Sequence, residues 1–357
     1  MSVFTATAFD NHEKVVFVSD KASGLRAIIA VHNTGLGAAV GGCRMLPYAS
    51  EDAAIHDALR LSRGMTYKSA LAGLPLGGGK SVIIGDPSAD KSPELWRVFA
   101  GALNDLGGTY IASVDSGTSV EDLREMGKHT NFVSGLNAGA SGGDPSPSTA
   151  RGVFESLRTA VAHRLGSSDL DGVRVAVQGL GHVGYALAAS LRGEGAEVFA
   201  SDISAERIAR AEAELGVRVL HGDDILDADV DVFAPCALGG ILNSGTIPRL
   251  RAGIVAGAAN NQLATDDDGA RLADRGILYC PDFLINAGGI IDVHLQQSGV
   301  DRSALDTHIK QIVERLEEVL RRADQCHLPT GTIAERLAEE IIERGLPAAA
   351  APALAVA

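Results

Sequence analysis

Val175-Ala176-Val177-Gln178-Gly179-Leu180-Gly181-His182-Val183-Gly184 carries an apolar run straight into a glycine-rich turn that opens a helix. Gly-x-Gly-x-x-Gly alone is a weak pattern. Here a second apolar run, Glu197–Ala200, follows the helix, and the strand ends in Asp202, eighteen residues past Gly184. The context is therefore a βαβ unit with a carboxylate at the end of its second strand. Gly179, Gly181 and Gly184 permit a tight turn and close approach of a pyrophosphate to the helix amino terminus. Asp202 would accept hydrogen bonds from a ribose diol and repel a 2′-phosphate, which favours NAD over NADP. His182 and Val183 complete the cofactor-binding turn, and His182 reads as a variable position of the fingerprint. A glycine turn serving only strand–helix packing is the plainer alternative.

Outward from this unit, Val173–Val177, Val217–Leu220, Val230–Phe233, Ile254–Gly257 and Ile277–Tyr279 are further short apolar runs. Several are separated by helical stretches such as Ala205–Leu215, which indicates a parallel sheet covered on both faces. A helix is expected over 148–163, a long amphipathic one through Ile309, Ile312, Leu316 and Leu320, and Thr332-Ile333-Ala334-Glu335 is a capping box opening the last. In the amino-terminal part, strands are expected at Val15–Val18, Leu25–Val31 and Tyr110–Val114. Helices are expected over Ser50–Arg63 and from Ser92 and Ser119 onward. Asn137–Pro147, rich in Gly, Ser, Asp and Pro, is the best linker.

The second informative stretch is Leu76-Gly77-Gly78-Gly79-Lys80-Ser81-Val82-Ile83-Ile84. Three successive glycines make sense where a backbone must pass close to something without side chains in the way. The strand expected from Ser81 would then hold Lys80, and a partly buried lysine loses basicity to desolvation. It is not a phosphate loop, because no glycine stands five residues before Gly79, where that motif has its first, and a strand follows instead of a helix. The alternative is a flexible loop with a solvated lysine.

With 357 residues the chain has room for two domains. A net charge of −14 argues against a nucleic-acid surface. Cys43, Cys236, Cys280 and Cys326 show no metal or disulfide spacing, and the ten histidines include no helical His-x-x-x-His pair, so no metal is expected. No apolar run suits a signal peptide or a membrane span, and the chain reads as cytoplasmic with no membrane partner.

Together, several stretches resemble the amino acid dehydrogenases of the glutamate, leucine, phenylalanine and valine group. They are Leu36-Gly37 with Gly41-Gly42, Met65-Thr66-Tyr67-Lys68, Leu76–Lys80, Asp115-Ser116-Gly117-Thr118, the fingerprint, Ala234-Pro235-Cys236-Ala237, Gly257–Gln262 and Asn286-Ala287-Gly288-Gly289. Ser116 departs from the pattern, standing where the family usually has an apolar residue, and this bears on the surroundings of Asp115. The resemblance implies an α/β architecture. An amino-terminal domain for substrate and oligomerisation (1–134) and a Rossmann domain (135–325) would flank a cleft. A carboxy-terminal helix (326–345) would pack back on the first domain, and 346–357 reads as a disordered tail. Homo-oligomers from dimers to octamers occur among such relatives.

The implied reaction passes a hydride from Cα of an L-amino acid to NAD, and the iminium is hydrolysed to a 2-oxo acid and ammonia. The resemblance makes Lys80 and Asp115 catalytic: Lys80 bonds the 2-oxo oxygen and activates water, and Asp115 exchanges protons with the substrate nitrogen. Lys68 pairs with the α-carboxylate, Gly41 and Gly42 lie beside the substrate, and Asn261 orients it. Thr149 and Asn286 bond the nicotinamide carboxamide, with Ala237 and Asn260 also counted in the cofactor site. Val40, Ser113, Ile290 and Val293 are expected to line the side-chain pocket. Glutamate enzymes carry a lysine where this chain has Val40, and a carboxylate against valine would be left desolvated. Branched aliphatic substrates are therefore expected first, and phenylalanine stays open because Ser113 could admit a ring. Two rivals remain. A non-catalytic NAD-responsive protein would have no reason to keep Lys68, Lys80 and Asp115. A hydroxy-acid dehydrogenase generally needs a histidine base, and no histidine here sits in a comparable position.

Overall fold

The computed structural model describes residues 3–135, 144–298, 300 and 303–346. Two compact units form: Met1–Asp144 with Val293–Asp301 and Glu339–Ala357, and Pro145–Asp292 with Arg302–Ala338.

The first unit is built on β1 (Lys14–Asp20), β2 (Leu25–Asn33), β3 (Ala39–Leu46), α1 (Glu51–Leu71), β4 (Gly77–Ile84), α2 (Pro93–Asp105), β5 (Tyr110–Val114) and α3 (Val120–Gly127). The sheet order is β1-β2-β4-β3-β5. β2 runs antiparallel to β1 and β4, while β3 runs parallel to β4 and β5. One face packs Cys43, Met45, Ile83, Tyr110 and Ala112 against Leu95, Trp96, Phe99 and Leu103. The other packs Ile28, Ala30 and Val82 against Ala54, Ala58 and Leu59 of α1. Successive strand residues alternate between faces. Val40, Gly42, Arg44, Gly78, Lys80 and Ser113 therefore share the face covered by α1.

Ser50, Ser92 and Ser119 cap α1, α2 and α3 by accepting from the backbone N–H of Ala53, Leu95 and Asp122. Helix α1 does not stop at Arg63 but continues through Gly64 to Leu71, which puts Lys68 in its last turn. The three glycines are not a loop ahead of a strand: β4 begins at Gly77 and is buried along nearly its whole length.

The second unit comprises α4 (Ser146–Leu165), β6 (Arg174–Gln178), α5 (His182–Gly193), β7 (Glu197–Ser201), α6 (Ala205–Leu215), β8 (Arg218–Val219), β9 (Val232–Pro235), β10 (Ile254–Val255), α7 (Asp267–Asp274), β11 (Leu278–Tyr279), α8 (Asp282–Ile285), α9 (Gly288–Ser298), α10 (Ala304–Cys326) and α11 (Thr330–Arg344). The ends of α9 and α11 belong to the first unit. The six strands are parallel in the order β11-β10-β9-β6-β7-β8. The chain winds outward from β6 to β8, returns to β9 and winds outward again to β11. The reversal between β6 and β9 is the switch point at which such sheets bind ligands. Ala176, Phe233, Val255, Leu272 and Tyr279 form part of the core of this unit.

Two further helix starts differ from the sequence expectation. Helix α4 starts at Ser146, inside the stretch read as linker, and α11 opens at Thr330, two residues ahead of the capping-box threonine. Residues 136–143 and 347–357, which hold most of the expected linker and tail, lie outside the described residues.

Candidate active site

The glycines of β4 each face a different obstacle. A Cβ on Gly77 would lie 2.3 Å from the Asn33 carbonyl, on Gly78 2.0 Å from the Thr66 nitrogen, and on Gly79 2.5 Å from the Tyr110 ring. Helix α1 thus lies directly on the strand at Thr66, two residues before Lys68. Lys80 is buried on this face and forms an ion pair with Asp115 Oδ2. Burial pushes its amine down to about 7; the Arg44 and Lys68 charges act in the same direction, and Asp57 and Cys43 oppose them.

Asp115 follows β5 in a turn that is stitched to β3. The Thr118 hydroxyl accepts from the Asp115 N–H at 3.0 Å and donates to the Cys43 carbonyl at 2.7 Å. Gly117 sits at φ +81°, where its Cβ would fall 1.9 Å from the Met45 carbonyl. The Ser116 N–H donates to Asp115 Oδ1 at 2.6 Å, while Ser116 itself is exposed. Its departure from the family pattern therefore leaves this bond intact, because any residue but proline supplies that N–H. Gly42 makes room for the carboxylate: a Cβ there would lie 2.5 Å from Asp115 Cβ. Gly41 has a different reason, since its Cβ would strike the Gly79 carbonyl at 1.7 Å. Val40 is buried and Ser113 half-buried on the same face of the sheet.

In the second unit the fingerprint glycines divide three tasks. Gly179 turns the chain at φ +99°, with its Cβ position 2.9 Å from Ala237 Cβ. Gly184 packs α5 on the strand end, its Cβ position 1.9 Å from the Gly179 carbonyl. Gly181 has nothing within 4 Å of its Cβ position, and no side chain caps α5 there. An open glycine at an uncapped helix amino terminus is what an anionic dinucleotide requires, so these residues fit one. His182 and Ala237 are exposed and Val183 half-buried around this turn. Asp202 accepts from the Leu180 N–H at 2.6 Å and the Ser204 N–H at 2.7 Å. Its carboxylate therefore also braces the fingerprint turn. Arg207 Nη1 lies 3.8 Å away on an exposed side chain.

Asn261 is held at φ +52° by its N–H bond to Asp282 Oδ2 at 2.7 Å, and the Tyr279 hydroxyl donates to the other oxygen of Asp282. Asn286 Nδ2 donates to Asn260 Oδ1 at 2.9 Å and to the Ala258 carbonyl at 3.1 Å. Its own Oδ1 is buried with no hydrogen-bond partner among the described residues, a free acceptor suited to an incoming amide. Thr149 Oγ1 lies 2.5 Å from where a Gly289 Cβ would be, which brings the start of α4 against α9. Ile290 and Val293 are half-buried on α9.

The sequence reading missed Arg44 and Asp57. Arg44 Nη1 donates to Asp57 Oδ2 at 2.9 Å, and its Nη2 lies 3.6 Å from Asp115 Oδ1. Strand alternation from Gly42 was the available signal for Arg44; nothing local marks Asp57 among the other charges of α1. Among the described residues no group of His, Cys, Asp and Glu could hold a metal, and no helix is long and apolar enough to cross a membrane.

Residues 12–132 match the family described as Glu/Leu/Phe/Val dehydrogenase, dimerisation domain, and residues 202–335 match glutamate/leucine/phenylalanine/valine dehydrogenase. The leucine dehydrogenase of Geobacillus stearothermophilus is 46% identical over 344 residues, which is 96% of this chain and 94% of that one. The phenylalanine dehydrogenase of Caldalkalibacillus thermarum is 44% identical over 351 residues, covering 96% and 95%. The crystal structure of L-tryptophan dehydrogenase from Nostoc punctiforme superposes with a TM-score of 0.80 at 43% identity, covering 94% and 96%. With its sheet topology, its buried lysine paired to an aspartate and these matches, the chain belongs to the glutamate/leucine/phenylalanine/valine dehydrogenase family.

Proposed function

We propose that this NAD(P)-family dehydrogenase catalyses the NAD-dependent, reversible oxidative deamination of an apolar L-amino acid, with leucine, valine and isoleucine preferred. The observation that carries the reading is the ion pair of buried Lys80 with half-buried Asp115, with an amine pushed down to about 7 by burial. A bound nicotinamide dinucleotide supplies the hydride acceptor. Lys68 holds the substrate α-carboxylate and Asn261 orients it. Asp115 takes a proton from the substrate ammonium, so that the nitrogen lone pair can form the iminium. Lys80 in its neutral form takes a proton from the water that adds to the iminium carbon; Asp115 then returns its proton to the nitrogen, the C–N bond breaks to release ammonia, and the Lys80 ammonium bonds the 2-oxo oxygen. Asp202 favours NAD, because a 2′-phosphate would meet a carboxylate already braced by two backbone N–H groups. Thr149 and the free Oδ1 of Asn286 take the carboxamide.

For the side chain, Val40, Ser113, Ile290 and Val293 present branched and small surfaces, with leucine dehydrogenase relatives at up to 46% identity in support. A phenylalanine preference is the second reading, favoured by the small Ser113 and by relatives of that name at 43–44% identity. Assembly into a homo-oligomer through the first unit is proposed from the match to a dimerisation domain. A scan of L-amino acids with NAD and with NADP, following absorbance of the reduced cofactor, tests the reaction, the cofactor and the side-chain preference, and light scattering tests the assembly. No amino-acid-dependent reduction of either cofactor would refute the function.

A further inference from the structure

We propose that Arg44 is a positioning residue of this reaction, a guanidinium clamped by Asp57 that sets the charge around the Lys80–Asp115 pair. The proposal rests on the amino acid dehydrogenase reading and adds a residue to its machinery. Arg44 stands two residues past Gly42, on the α1-covered face. Asp57 Oδ2, which receives Arg44 Nη1 at 2.9 Å, also accepts the Tyr48 hydroxyl at 2.5 Å, so the clamp is itself held. Arg44 Nη2 reaches to 3.6 Å from Asp115 Oδ1, beyond hydrogen-bond range but well within that of a charge interaction. The two side chains are 18% and 16% exposed, so solvent screens them little.

Arg44 Nε is buried without a hydrogen-bond partner. A guanidinium that only tied β3 to α1 would gain by turning this N–H to an acceptor; instead it is held where its charge faces Asp115. The two carboxylate oxygens of Asp115 then have separate surroundings. Oδ1 takes the Ser116 N–H and the Arg44 charge, and Oδ2 faces Lys80. The groups around Lys80 are Arg44 and Cys43 from β3, Asp57 and Lys68 from α1, and Asp115 beyond β5. Arg44 makes a second positive charge there costly, which helps to leave the Lys80 amine free to take a proton from water.

The test is the pH dependence of Lys80 acetylation by acetic anhydride on the full chain, read by mass spectrometry, beside the pH profile of kcat/KM with leucine and NAD. In Arg44→Met the labelling midpoint of Lys80 should rise by about one pH unit, and kcat/KM at pH 7 should fall roughly fivefold as less of the amine is neutral. Arg44→Lys keeps the charge and should return the midpoint to within about 0.3 of wild type. An unmoved midpoint in Arg44→Met, or equal shifts in both variants, would overturn the proposal. Should Arg44→Met fail to fold, Arg44→Gln is read in the same way. Labelling needs no substrate, so a failure of the assigned reaction would show separately, as wild-type protein that turns over no amino acid.

Discussion

Replacing Gly42 with alanine adds one methyl group to β3, at the point where Asp115 crosses it. The new carbon would lie 2.5 Å from Asp115 Cβ, 2.7 Å from Oδ2 and 2.9 Å from Cγ. Ordinary contact starts near 3.4 Å, so the aspartate must retreat by roughly 0.9 Å. Gly42 has no positive φ, so the backbone itself accepts alanine. The retreat takes the carboxylate away from Lys80, and a misplacement of about 1 Å can cost about 10²-fold in rate. Crowding of this kind also destabilises by about 1–3 kcal/mol, which leaves a domain of this size folded. We therefore expect kcat/KM for leucine to fall about a hundredfold, with a small drop in Tm and unchanged NADH binding by fluorescence. Gly41→Ala should differ, since its methyl group meets the Gly79 carbonyl on a neighbouring strand, and lost folding should dominate. If Gly42→Ala kept more than about a third of wild-type kcat/KM, the carboxylate would not need its present position, and the assignment of Asp115 would fail.

Lys80→Ala should lower turnover by about 10²–10⁴-fold while NADH binding persists, and retention of a tenth of wild-type turnover would remove the lysine from the chemistry. Gly181→Ala fits the fold, with nothing near its Cβ position, yet should raise the KM for NAD severalfold if the pyrophosphate takes that open space as proposed; an unchanged KM would contradict the fingerprint. Val40→Lys should damage turnover of leucine and gain little with glutamate, because the remaining pocket offers few partners to a carboxylate; efficient glutamate turnover would sink this account of specificity. Stability should fall with acid below about pH 6.5 through His32, a buried ring bonded to Thr66 whose burial lowers it to about 4. The unfolded chain binds the proton more readily over that window, so this contribution is complete above 6.5 and lost as pH falls toward 4. It amounts to about 3 kcal/mol at most. Urea unfolding at several pH values should show a shallower slope in His32→Asn, and an identical slope would refute it.

What the sequence settled by itself was local and periodic. The three glycines of the turn after β6 were legible from their spacing between an apolar run and a helix, although they serve different ends: Gly179 turns at positive φ, Gly181 leaves the helix amino terminus open, and Gly184 lets α5 pack on the strand end. The caps at Ser50, Ser92 and Ser119 were legible because a cap satisfies N–H groups two or three residues away. Alternating apolar runs marked β6 to β11, with edges differing by a residue or two. The resemblance named Lys80 and Asp115, but not what surrounds them. Tertiary structure alone decided that Gly77–Gly79 is a strand, because the obstacles each glycine avoids come from Asn33, Thr66 and Tyr110 on other elements. It also decided that Asp202 braces the turn, and that Arg44 spans from Asp57 to Asp115. In each case the deciding partner comes from another element, and the first unit shows why. A strand's side-chain alternation gives a face, but which charges meet on that face depends on the order β4-β3-β5 and on where α1 crosses it, and neither is encoded within any one stretch.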